Sequence, residues 1–221
     1  MKKIVGILMG LIITLPNMAY GQEDNWSKAV KKEYKAKLKE FKKEGWKVFG
    51  SSRTIEVLLA THYEWLNCHN EVSEIVGVAS GFKSMNLGHQ MAMNNAYVTY
   101  ASQMSSTIKG STISDMKSDA STQKTEFDQF FAVFERYVEK EIRGEMKESF
   151  SLIRETRKGI FEMQSFFLVN ENAALDARRR ALKNAAKEAV WAEKYADIVS
   201  KYINEKNYPT EFTAEDADRN L

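Results

Sequence analysis

The chain of 221 residues is poor in the features that most often reveal a protein's chemistry from sequence. Cys68 is its one cysteine, so no intramolecular disulfide can form and a multi-cysteine structural zinc site is excluded. Its two prolines, Pro16 and Pro209, lie near the ends, so nothing between them forces a helix to stop. An excess of charge is missing too: 32 Lys and Arg stand against 30 Asp and Glu. Lys2 and Lys3 fall in a segment read below as removable, and the remainder is then neutral. A chain that binds nucleic acid by overall basicity is excluded, although a local basic patch is not. The one long apolar run, Ile4 to Leu15, falls short of the about 20 residues of a spanning helix.

That run instead has the form of an export signal. Lys2-Lys3 supplies the positive start, Pro16-Asn17 breaks the helix, and Ala19 and Gly21 place small residues before Gln22. Cleavage after residue 21 is expected, with no cysteine there to carry a lipid. The rest is long enough to bury roughly 70% of its extended surface, and 43% of the residues are hydrophobic. One α+β domain is expected over 22–206, with a helical extension over 26–70 and a flexible tail over 207–221.

Periodicity predicts the elements. Residues 26–44 read as a helix ended by Gly45, with Trp26, Val30, Tyr34, Leu38 and Phe41 on one arc. Lys28, Lys31, Lys32, Lys35, Lys39, Lys42 and Lys43 occupy the opposite arc, and Lys37 alone interrupts the apolar one. A short strand at 46–49 and a helix capped by Ser52 and reaching Asn67 follow. Val72 to Ala79 alternates as a strand packed on both faces. Asn86 caps a helix to Lys109 with Leu87, Met91, Val98, Ala101 and Ile108 inward, and 110–124 reads as a polar loop. A helix capped by Thr125 carries Phe127, Phe130, Phe134, Val138 and Ile142. Met146–Arg157 and Ile160–Val169 form a hairpin about Lys158-Gly159. Asn170 caps a helix to about Lys206. The expected fold is α+β, with one mostly antiparallel sheet that includes the 146–169 hairpin and is covered by long helices.

Few residues suggest chemistry. His62 and His69 are about 10 Å apart along a helix, too far to share a metal ion, and adjacent Cys68 and His69 point apart. A half-buried core histidine beside an inert thiol is the simpler reading. The alternative is an exported hydrolase with an unrecognised cleft, using scattered carboxylates or a Cys68 nucleophile completed by His89. Gly77 to Ser84 lies where a phosphate loop would, but its glycine and lysine spacing is wrong, which leaves a bulge or close packing. Glu135, Glu139, Glu141, Glu145 and Glu148 alternate with basic residues as a solvated face does. Arg178-Arg179-Arg180 points to all sides of its helix, as salt links would. No catalytic, cofactor-binding or metal-binding residues are assigned. The lysine arc is the one candidate contact, for an anionic envelope surface or an envelope protein.

The strand from Val72, the small-residue helix Met91 to Met104, the segment Phe134-Glu135-Arg136-Tyr137-Val138 and the hairpin ending Phe166-Phe167-Leu168-Val169 together resemble a known envelope domain. The stretch 72–206 is similar to the small outer-membrane lipoprotein antigens of Gram-negative bacteria and to the N-terminal domain of a flagellar-ring accessory protein. The resemblance implies an α+β envelope domain used in attachment or assembly, without catalytic residues. The chain departs from the pattern in lacking the lipid-bearing cysteine and in carrying residues 26–70. The expectation is an exported, non-enzymatic envelope protein in the periplasm or at the cell surface.

Overall fold

The computed structural model describes residues 26–115, 121–188 and 191–203; the expected signal, the tail and the middle of the 110–124 segment lie outside them. The alternating runs pair as expected into a four-stranded antiparallel sheet of order β1-β3-β4-β2, formed by β1 (Lys47–Phe49), β2 (Val72–Phe82), β3 (Met146–Arg157) and β4 (Ile160–Asn170). The β3–β4 hairpin closes at Gly159, whose φ of 71° is the left-handed conformation that a tight turn requires. Val72 pairs with Asn170 and Phe82 with Phe161, so β2 joins the far side of the hairpin.

Helices cover both faces of this sheet. On one lie α1 (Lys28–Lys43) and α2 (Ile55–Cys68), whose Tyr34, Phe41, Leu58 and Leu59 pack with Phe150, Leu152 and Phe166 of the sheet. The expected extension is thus a structural layer, and its β1 is a strand of the sheet. On the other face lie α3 (Met85–Asp115), α4 (Ser121–Ile142), α5 (Glu171–Ala185) and α6 (Ala192–Ile203). Their core joins Tyr97, Phe130, Phe134, Val138, Ala177 and Tyr195 to Phe167 and Val169. An α+β fold with one antiparallel sheet under long helices is what the residues build.

Several local expectations need correction. Gly110 does not end a helix: α3 continues to Asp115 and α4 begins at Ser121, ahead of Thr125. Polar Ser and Thr are tolerated there, and Thr112, buried, donates its hydroxyl to the Ile108 carbonyl at 2.8 Å. Thr54 rather than Ser52 precedes α2, and α3 opens at Met85, with Ser84 Oγ accepting from the Leu87 amide. The long helix expected to reach residue 206 is broken after Ala185, where the amides of Lys187 and Glu188 donate to the carbonyls of Asn184 and Ala185 in a tighter turn. Its cap is as expected: Asn170 Oδ1 accepts from the amides of Asn172 and Ala173.

The largest correction concerns the face of α3. Ala101 and Ile108 are buried, but Leu87, Met91 and Val98 are exposed. The sheet-facing side is made of small residues instead. A Cβ on Gly77 would stand 1.9 Å from the Ala92 carbonyl oxygen, and one on Gly88 would stand 2.2 Å from the Phe82 ring. Helix and sheet approach through Gly77, Gly88, Ala92 and Ala96, which carry too little surface to register in a hydrophobic pattern.

Candidate functional site

Ser27 starts α1 by accepting the Val30 amide at 3.2 Å, and Gly45, at φ 75°, ends it. Between them the apolar arc seats as expected. Tyr34 and Phe41 are buried, and Trp26, Tyr34 and Tyr63 pack with ring centroids 5.3 to 6.1 Å apart. Tyr34 donates to the Glu56 carbonyl and Tyr63 to the Glu33 carboxylate. Burial, reinforced by Glu33, raises the Tyr63 hydroxyl above its ordinary range, so it keeps the proton it donates beyond the alkaline pH at which a free tyrosine ionises.

With that arc held down, the opposite one faces outward. Lys28, Lys32, Lys35, Lys39, Lys42 and Lys43 are exposed and Lys31 is half-buried. Lys42 is taken up by Glu56 at 2.5 Å, and its hydrogen bond holds that carboxyl down at about 2. Lys37, inside the apolar arc as expected, is half-buried, lies over the Phe41 ring and is near Glu40. Lys28, Lys32, Lys35, Lys39 and Lys43 make no ion pair among the described residues. What the arrangement offers is a row of exposed ammonium groups on a helix that buried aromatic rings hold in place.

No family model matches the chain. No curated protein or solved structure matches it significantly either.

The residues weighed for chemistry are dispersed. His62 is wholly buried among Tyr63, Phe150 and Phe166; its Nε2 lies 2.5 Å from Glu74 Oε2, and its Nδ1 has no partner among the described residues. Cys68 is exposed at the end of α2, and the His69 ring stacks on Trp65 at 4.4 Å. His89 lies on the other face of the sheet, 2.9 Å from Glu148. Ser151 Oγ donates to Glu148 at 2.5 Å and sits 2.6 Å from Ser165 Oγ. Sequence reasoning missed this group because 59 residues separate His89 from Glu148 and no local spacing signals it. A carboxylate stands between serine and imidazole, so the imidazole cannot draw a proton from Ser151, whose side chain is buried. The group ties α3 to β3.

Gly81, at φ 77°, lies at the register shift between Ser80 and Phe82, and Gly77 lies against α3; the glycines serve packing. The three arginines part ways, as salt links. Arg178 is buried against Glu171 and Tyr100, Arg179 reaches Asp176, and Arg180 spans Glu141 and Glu145. Among the described residues no three His, Cys, Asp or Glu side chains gather to hold a metal ion, and no helix is long and apolar enough to cross a membrane.

Proposed function

We propose that this is an exported, non-enzymatic protein that attaches to an anionic lipid surface of the cell envelope through the lysine face of α1. The carrying observation is that row of exposed ammonium groups, of which Lys42 alone is ion-paired among the described residues. Each lysine near an anionic surface contributes about 1 kcal/mol, so five unpaired ones suffice for reversible adsorption. The apolar arc of α1 is occupied by the core and is not available for insertion, so the attraction is electrostatic. The Debye length is about 8 Å at physiological salt, which confines it to contact distance. The Lys2–Gly21 segment supports export, and the resemblance read from the sequence over 72–206 points to a role in attachment or assembly.

Co-sedimentation with vesicles tests the reading. The mature chain should pellet with vesicles rich in phosphatidylglycerol at low salt, and stay in solution at high salt or with phosphatidylcholine alone. K28Q/K32Q/K35Q/K39Q, all at exposed positions outside any ion pair among the described residues, should abolish pelleting and leave the circular dichroism spectrum unchanged. Equal binding by that variant, or no binding by the wild type, overturns it. N-terminal sequencing of the protein from its own cells should begin at Gln22; an intact Met1 would refute the cleaved signal.

A further inference from the structure

Residues 84–108 contain no Lys, Arg, Asp or Glu, in a chain of which 28% is charged. They form most of α3, a helix that is not wholly covered. Along it runs one seam: Leu87, Met91, Asn94, Val98, Ala101, Ser105 and Ile108, spaced 4-3-4-3-4-3 as in helices packed side by side. Its second half is closed, with Ala101, Ser105 and Ile108 at 1%, 3% and 2% exposure. Ala101 and Ile108 there share a core with residues of α4 and α6. Its first half is open, with Leu87 at 52%, Met91 at 37% and Val98 at 47%, and Asn94 exposed between them. The reason is the length of α4. It ends at Ile142, and Arg143, immediately beyond, lies over the Tyr97 ring, so α3 runs on past its neighbour. Gly88, Ala92 and Ala96 pack on the sheet from nearly the opposite side, so the open half-seam faces away from it.

We propose that the open half-seam is a contact between two copies of this chain, whose α3 helices pair antiparallel about a twofold axis between Met91 and Asn94. A continuous seam whose closed half packs on helices is shaped for another helix. Its neutrality selects the occupant: a surface without charge neither steers a charged partner nor repels its own copy, and loss of charge with retention of methionine marks interface cores. About that axis Leu87 meets Val98 of the second copy and Met91 meets Asn94, and amides of the two asparagines, each donor and acceptor, come close enough to fix the register. The overlap, about 18 Å of helix, is small beside the about 1,200 Å² of a standard interface, so the dimer is weak and concentration-dependent. The contact is independent of the lysine face, which lies across the sheet.

Sedimentation velocity from about 10 μM to about 1 mM should show the mean mass rising toward that of a dimer. M91K/V98K, at two exposed positions, should remain monomeric with an unchanged urea midpoint. In a C68S background, N94C should oxidise to a covalent dimer and Q129C, on the exposed side of α4, should not. A protein monomeric throughout overturns the proposal and leaves the seam to a helix of another chain. Association that persists in M91K/V98K overturns it as well, because the contact then lies elsewhere.

Discussion

Glu56 and Lys42 illustrate how one side chain couples to its neighbour. The Lys42 ammonium, with hydrogen bonds from backbone and Thr54, holds the Glu56 carboxyl at about 2. A depressed carboxyl adds stability that is present above its unfolded value of about 4.5 and lost as pH falls toward about 2. Lys42→Gln should therefore return the Glu56 titration toward the ordinary carboxylate range, read by NMR, and flatten the acid limb of stability below about pH 4.5. An unmoved Glu56 would assign the shift to the backbone instead. Arg178 and Glu171 differ because both are buried. Burial opposes the guanidinium's charge, yet Glu171 and Tyr100 raise its pKa, while burial pushes Tyr100 up to about 12. Arg178→Ala should cost about 3–5 kcal/mol in urea unfolding by leaving Glu171 unpaired, and R178M/E171M should recover much of it. His62 invites the opposite expectation. Its Nδ1 is unsatisfied, its walls are aromatic, and Glu74 reaches solvent, so His62→Phe should fall within about 1 kcal/mol of wild type and His62→Ala should lose about 3. A large loss in His62→Phe would show that the bond to Glu74 outweighs the orphaned nitrogen.

Among elements, the seat of α3 on β2 has the least tolerance. Gly77→Ala drives a methyl into the Ala92 carbonyl, which is backbone and cannot rotate away. Gly88→Ala meets only the edge of the Phe82 ring. Both should destabilise, Gly77→Ala by more than about 3 kcal/mol and Gly88→Ala by less, measured by urea midpoint. The reverse order would mean that helix and strand can separate more easily than the ring can turn. The same contact shows what was legible in the sequence. Asn170, Gly45 and Gly159 act through local chemistry, so the cap, the helix end and the hairpin could be read directly. The apolar arc of α1 could be read because large rings define it. On α3 the period was right and the face was wrong: Leu87, Met91 and Val98 outweigh Gly88, Ala92 and Ala96 in hydrophobicity, yet only the small residues let the backbones meet. The break after Ala185 has no proline or glycine to announce it, and Glu188 there binds Arg136 and Tyr137 from α4. At the candidate site the lysine row was legible from spacing, whereas the loss of Lys42 to Glu56 depends on how α1 meets α2.

For the whole molecule, the sheet's two covered faces make the α1–α2 layer indispensable. A chain beginning at Asn70 would bare Phe150, Leu152 and Phe166. It should bind a hydrophobic dye and aggregate; a soluble, dye-free monomer would show that the layer is an accessory. The connection between β2 and β4 has a further consequence, in time rather than in energy. The β3–β4 hairpin closes across Arg157 and Ile160, whereas β2 must bring Val72 to Asn170 with α3 and α4 between. Local closures are fast and distant ones slow. The hairpin is therefore expected to form the folding nucleus, with β2 docking late, and refolding should take milliseconds to seconds. Gly159→Ala, strained at its positive φ, should mainly slow refolding in stopped-flow fluorescence, while Gly77→Ala should mainly hasten unfolding. A chain emerging from its N-terminus holds β2 without a strand partner until β4 has followed, and for that interval α3 is the layer it has to pack on.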